Sequence, residues 1–318
     1  MKKLRLKKIV PVFFILYFLS AAAPIIPRIY GLSDIPSSDV LSKIPETETL
    51  SETIKIYSFN IQIFGVTKMS NPEVVNVLTA IVSRADIIAI QEVRSADVEP
   101  VEQFMALLPK KYGYVIGPRE GRSSSKEQYW IIYDANRFTV LGAETWPDPD
   151  DIFERNPYAV FFTTNGPAGS GEPNRSNSSF DFILIDNHIQ PRRAAEEIAA
   201  LPEAAAWYRE LWQEPDVLIV GDLNADGIYY DEAILSSIFP EDEYTIIITN
   251  DIDTTVADSD NTYDRFIITS SAVEDYTGNY GVIRFDELYD FSRYSISPKK
   301  ISDHYPVWAE FFIDHDTD

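Results

Sequence analysis

From residue 54 onward, short runs with apolar residues at every second position alternate with stretches where they recur every three or four, the periods of strand and helix. Residues 54–60 predict a strand, with Ile54, Ile56 and Ser58 on one face and Lys55, Tyr57 and Phe59 on the other. Asn71-Pro72 opens a helix, Asn as N-cap and Pro at its first position, with Val74, Val75, Leu78, Ile81 and Val82 as the buried stripe. Within 86–91 the residues between Asp86 and Gln91 are continuously apolar, the pattern of a strand buried on both faces. A second helix carries Val98, Val101, Phe104, Met105 and Leu108. Further strands are expected at 128–133, 158–164, 180–186, 217–220, 263–269 and 305–312. A helical stretch over 191–212 should break or restart at Pro202, and 166–179 reads as an exposed loop. Strands outnumber helices, and the helices fall between them. The fold class predicted is α/β (α+β): a four-layer sandwich of two packed mixed β-sheets flanked by helices.

The first residues follow a different rule. Lys2, Lys3, Arg5, Lys7 and Lys8 precede an apolar run from Ile9, and Ser20-Ala21-Ala22-Ala23 supplies small residues suited to signal cleavage. Pro24 follows directly, and uncleaved the run is long enough to anchor in a bilayer. Residues 1–30 are therefore a signal peptide or signal anchor, 31–53 a Pro- and Ser-containing linker, and 54–318 the catalytic domain. The domain is expected outside the membrane, secreted or anchored.

Composition narrows the chemistry. There is no cysteine, which removes thiolate catalysis, cysteine metal sites and disulfides together. The formal charge is −23, and because residues 1–28 carry only positive charges the rest is more acidic still. Such a chain cannot grip nucleic acid through a broad basic surface, although a local cationic groove with a bound divalent ion remains compatible. No glycine-rich nucleotide-binding motif is present.

Polar residues gather at strand ends. Asn60, Gln91-Glu92 and His188 each end or follow a predicted strand, Asp222 and Asn224 follow another, Asp264 lies in one, and Asp303-His304 precede the last. Strand ends on one rim share a common space, so these groups predict a hard-cation site with acid–base partners. Asn and carboxylates without cysteine favour Mg²⁺, Mn²⁺ or Ca²⁺ over Zn²⁺. Phosphodiester hydrolysis needs an activated water, neutralised phosphoryl charge and a protonated leaving oxygen. Of the three histidines, His188 and His304 have the carboxylate-rich contexts this requires, and His315 lies in an acidic tail.

These segments resemble a known family. Ser58-Phe59-Asn60-Ile61, Thr67-Lys68-Met69-Ser70-Asn71, Gln91-Glu92-Val93-Arg94, Gly221-Asp222-Leu223-Asn224-Ala225-Asp226, Tyr263-Asp264-Arg265 and Ser302-Asp303-His304-Tyr305-Pro306 resemble, in order, those of deoxyribonuclease I-like members of the endonuclease/exonuclease/phosphatase superfamily. Gly121-Arg122-Ser123-Ser124-Ser125-Lys126-Glu127 points to the same branch. The resemblance implies a DNA endonuclease of little sequence specificity, using Mg²⁺ or Mn²⁺. It implies that Asn60 and Glu92 hold the metal with Asp303 nearby, and that His304 is general base, oriented by Asp264. It further implies His188 as general acid paired with Glu127, Asp222 and Asn224 on the scissile phosphate, and Arg94, Arg155 and Tyr229 on the DNA.

The departures are specific. Ser125 stands where the family has a stacking tyrosine, and Gly227 and Asn261 where it has a disulfide, so that loop must be held otherwise. Structural Ca²⁺ sites implied by the resemblance would fall on Asp253 and Thr255 and on Asp148, Asp150 and Asp151. Asn174 and Asn177 fit a glycosylation pattern. The rival reading is an exported phosphodiesterase of the same superfamily acting on phospholipid head groups. No protein partner is expected.

Overall fold

The computed structural model describes residues 53–165, 179–293 and 295–313. The signal or anchor segment, all but the last residue of the linker, the glycosylation pattern and His315 lie outside them. Two six-stranded sheets form the centre. The first contains β1 (Thr53–Phe64), β2 (Ile87–Val93), β3 (Tyr112–Ile116), β4 (Gln128–Asp134), β11 (Tyr276–Val282) and β12 (Val307–Phe312), in the order β11-β12-β1-β2-β4-β3. The second contains β5 (Phe138–Thr145), β6 (Tyr158–Thr164), β7 (Asp181–His188), β8 (Val217–Asp222), β9 (Tyr244–Ile246) and β10 (Asp264–Thr269), in the order β5-β6-β7-β8-β10-β9. In each sheet the central pair, β1 with β2 or β7 with β8, is parallel, and the other pairs are antiparallel.

The strand period sorts side chains into layers. Ile54 and Ile56 of β1 enter the core between the sheets, with Leu184, Val220 and Phe311. Tyr57 and Phe59 point the other way, into a second core against the helices α1 (Val66–Met69), α2 (Pro72–Val82) and α3 (Glu99–Met105). On the far side, α4 (Ala194–Trp212) packs Ile198, Leu201 and Tyr208 on Ile183, Ile185 and Ile219. Helix, sheet, sheet and helix therefore make the four layers expected. Asn71 caps α2, its side chain accepting from Glu73 N and Val74 N, with Pro72 at the first position as predicted.

One expectation fails: α4 is continuous through Pro202, with only a short 3-10 turn (Pro191–Arg193) before it. A mid-helix proline costs about 3 kcal/mol. Each fully buried large apolar side chain of the same helix returns about 1.5–3 kcal/mol, so Ile198, Leu201 and Tyr208 outweigh it. Strands β3, β5, β9 and β11 were not foreseen, and all four lie at sheet edges, where half-exposed positions blur the alternation.

Register carries the polar residues to one rim. Asn60 pairs with Gln91 across β1 and β2, His188 with Asp222 across β7 and β8, and Asp222 with Asp264 across β8 and β10. Gly221 has φ 132°, and a Cβ there would lie 1.9 Å from Asn187 O, so only glycine lets β8 approach β7 this closely beside the site.

Candidate active site

Asp222 lies at the centre. Its Oδ2 accepts from Asn60 Nδ2 at 2.9 Å and stands 3.5 Å from Nε2 of both His188 and His304. Each imidazole turns its other nitrogen to a buried carboxylate: His304 Nδ1 to Asp264 Oδ2 at 2.8 Å, and His188 Nδ1 to Glu127 Oε1 at 2.8 Å. Two His–carboxylate pairs thus flank one shared aspartate, the pairing that the resemblance implied. Such a contact fixes the ring and its tautomer.

Charge and burial act in opposition here. Burial pushes Glu127 upward, but His188, Arg155 and Arg94 overcome it and hold the carboxyl down at about 2. Arg155 Nε lies 2.6 Å from Glu127 Oε1 and Arg94 Nε 3.4 Å from Oε2. Asp222 is likewise driven up by burial and brought below its ordinary value by His304 and His188 together with the Asn60 amide. Burial lowers His304, yet Asp264 and Asp222 raise it well above the ordinary histidine value.

The remaining expected residues fall around this centre. Asn224, with φ 48°, donates its backbone N to Asp222 Oδ1 at 3.0 Å and its side-chain amide to Ile189 O. Glu92, with φ 64°, lies 3.3 Å from Asn60 Nδ2 and 3.0 Å from Arg94 Nη2. The half-exposed Asp303 approaches His304 Nε2 at 4.0 Å. Tyr229 packs on Tyr263, which packs on His304. Arg94 reaches Ser125 Oγ at 3.2 Å, so the serine meets the arginine. Arg155 is more enclosed than a surface contact would be, since its Nε also donates to His188 O at 2.8 Å.

Several supporting residues escaped the sequence reading. Ser302 Oγ donates to Asn60 O at 2.6 Å and accepts from His304 N at 3.0 Å. Tyr129 OH accepts from His188 N at 3.0 Å. Glu197, buried in α4, accepts from Glu154 N and Gln190 N, one residue from Arg155 and two from His188. Ser302 lies within a recognised motif that gave it no role and Tyr129 closely follows another, which is the signal that was present; Glu197 reads only as one more helical acid.

Oxygen donors without sulfur at Glu92, Asn60 and Asp303 fit a hard divalent ion. Among the described residues no group of three or more acidic or histidine side chains forms a cage. One or two carboxylates plus water and substrate phosphate is the usual way Mg²⁺ is held, so this donor set suits it. At the Ca²⁺ candidates the carboxylate oxygens meet groups of the chain itself. Asp253 Oδ1 accepts from Thr255 N and Oγ1, and its Oδ2 meets Arg284 Nη2 at 3.0 Å. Asp148 takes Ile152 N and Phe153 N on its two oxygens, and Arg122 pairs with Asp151. At the place of the absent disulfide, the Asn261 side chain lies against Gly227, and Thr262 N donates to Asp226 Oδ2 at 2.7 Å.

A four-layer α/β sandwich with paired imidazoles and carboxylates on one rim defines a hydrolase-type site for phosphate esters. The Endonuclease/Exonuclease/phosphatase family pattern matches residues 57–304, and the chain belongs to that family. It is deoxyribonuclease I-like within it: it is 31% identical over 266 residues to deoxyribonuclease-1-like 2 of Mus musculus, covering 81% of this chain and 91% of that one. It is also 31% identical over 269 residues to deoxyribonuclease-1 of Bos taurus, covering 81% and 92%. A solved endonuclease/exonuclease/phosphatase family protein from Bacteroides thetaiotaomicron shares the fold at TM-score 0.59 and 15% identity, covering 82% of this chain and 95% of that one.

Proposed function

We propose that the protein is a divalent-metal-dependent endonuclease that hydrolyses DNA phosphodiester bonds with little sequence preference. The observation that carries this reading is Asp222 Oδ2 standing 3.5 Å from both imidazoles, each backed by its own carboxylate. With Asp264 on Nδ1, His304 presents Nε2 to an attacking water and accepts its proton as the water oxygen bonds to phosphorus. His188, held by Glu127, donates a proton from Nε2 to the oxygen leaving on the opposite side. Asp222, 3.5 Å from each Nε2, stabilises the positive charge that His304 gains on accepting its proton and that His188 gives up on donating one, and Asn60 and Asn224 orient the phosphate. Mg²⁺ or Mn²⁺, held by Glu92 and Asn60 with Asp303 nearby, supplies positive charge to the phosphoryl oxygens.

Resemblance to the named deoxyribonucleases supports DNA as the substrate, and so does a cationic margin on an acidic chain. Arg94, Arg155, Arg119 and Lys126 gather along residues 94–155 beside Glu127. Phosphate contacts of this kind position a duplex without reading it. Tyr229, 38% exposed, offers a ring at the groove. Export, by secretion or by an N-terminal anchor, rests on the sequence of residues 1–30. No helix among the described residues is long and apolar enough to cross a membrane.

Purified protein should convert supercoiled plasmid to nicked and linear forms with Mg²⁺ and stop on addition of EDTA. Sphingomyelin and phosphoinositide vesicles should remain intact under the same conditions. Intact plasmid together with a hydrolysed head group would replace the DNA reading with the lipid one.

A further inference from the structure

Beside the site the backbone takes an unusual path. β1 and β2 are in register to Asn60 and Gln91, and pairing resumes only at Phe64 and Val93, so β1 carries extra residues between. Gln62 and Ile63 absorb them with φ 50° and 56°. Left-handed backbone at a β-branched residue costs on the order of 1–3 kcal/mol and persists only where neighbours enforce it.

The enforcing group is Lys68 of α1. Its Nζ donates to Ile61 O, to Gln62 O at 2.6 Å and to Ile301 O at 2.7 Å. An ammonium has three donors, and all are used here. Two acceptors belong to the left-handed turn, and the third adjoins Ser302, Asp303 and His304. The turn's own amides face the expected metal donors: Gln62 N donates to Asn60 Oδ1 at 2.9 Å, and Ile63 N to Glu92 Oε2 at 3.0 Å.

We propose that Lys68 is a positioning residue. Its ammonium clamps the turn at 61–63 to the segment carrying Asp303 and His304, and so sets the spacing between the Glu92–Asn60 donors and the imidazoles. This inference rests on the metal-assisted reading of the same site. Without the ammonium, three carbonyls lose their donor beside the carboxylates of Glu92 and Asp303. The turn can then relax, and Glu92 loses the amide of Ile63.

The absence of cysteine makes a direct test available. A Lys68→Cys variant of the full chain has a single thiol, which aminoethylation converts to an ammonium of nearly lysine length and carbamidomethylation to a neutral group. Mn²⁺ binding by calorimetry needs no substrate; kcat and KM on plasmid are measured in parallel. Removing a group that orients metal ligands typically costs about 10–100-fold. Lys68→Met and the carbamidomethylated protein should therefore lose at least about tenfold in Mn²⁺ affinity and in kcat, with KM changed little. The aminoethylated protein should recover most of both. Lys68→Arg keeps the charge but cannot bring three donors to one point, so it should fold and still bind Mn²⁺ weakly. Equal Mn²⁺ binding by the two adducts, wild-type affinity in Lys68→Arg, or no Mn²⁺ binding by the wild type would overturn the clamp. A wild type that binds Mn²⁺ and weakens in Lys68→Met, yet leaves plasmid intact, would sink the DNA reading and leave the clamp standing.

Discussion

Asp222 is a single buried carboxylate that serves two imidazoles, and its neighbour in the chain of buried acids, Asp186, serves neither. Asp186 is fully buried and accepts from Gln91 Nε2 at 2.5 Å, while its Oδ2 and Gln91 Oε1 make no hydrogen bond. Burial raises its pKa well above the ordinary value, and the nearby Glu127 carboxylate raises it further, against the Gln91 and Asn187 hydrogen bonds. Tyr129, the other titratable group facing it, is itself driven well above its ordinary value by burial and stays neutral. The folded state thus holds the Asp186 proton more tightly than the unfolded chain, whose Asp titrates at about 3.9. The resulting stability is complete below that value and is lost as pH rises toward the folded pKa. Asp186→Asn is neutral throughout. It should therefore melt above the wild type at about pH 8, with the gap closing toward about pH 4. A pH-independent offset, or a less stable variant at the higher pH, would refute a neutral Asp186.

Among the elements, the parallel pairs do the placing. β1 with β2 delivers Asn60 and Glu92, and β7 with β8 delivers His188 and Asp222, so strand ends in register become a site. These strands were legible because β1 alternates and the other three are largely apolar runs, all ending in polar motifs. The edge strands β3, β5, β9 and β11 were not, since Tyr114, Leu141, Thr245 and Asn279 sit at partly or fully exposed positions where packing hardly constrains residue type. Pro202 misled because local propensity cannot see the buried face of α4. Ser302, Lys68 and Glu197 each bond a backbone atom far away in sequence, and nothing local marks a partner that only folding brings near.

The loops show the same substitution of tethered groups for outside ones. Arg284 meets Asp253 Oδ2 at 3.0 Å and lies 4.8 Å over the Tyr305 ring, where the resemblance would place Ca²⁺. EGTA should leave the melting temperature unchanged. Arg284→Met should lower it by about 2–4 °C, the effect of about 1 kcal/mol in a domain of this size, for a partly exposed ion pair with a ring contact. A saturable stabilisation of the wild type by Ca²⁺ would show that these loops still take the ion.

For the whole molecule the tension is between a charge of −23 and a polyanionic substrate. Arg94, Arg119, Lys126 and Arg155 stand together beside Glu127, and on the proposed reading a divalent ion would complete the charge there. On the proposed reading charge at this scale governs approach and the paired imidazoles the chemistry, so removing either histidine should leave approach and folding intact. General acid–base groups contribute about 10²–10⁴-fold each. The most direct test is plasmid nicking with Mg²⁺ by the wild type, His188→Ala and His304→Ala, each matched by thermal melt and DNA affinity. The expected result is a loss of at least about a hundredfold in turnover for each variant at unchanged melting temperature and DNA binding. Near-normal nicking by either variant would contradict the account.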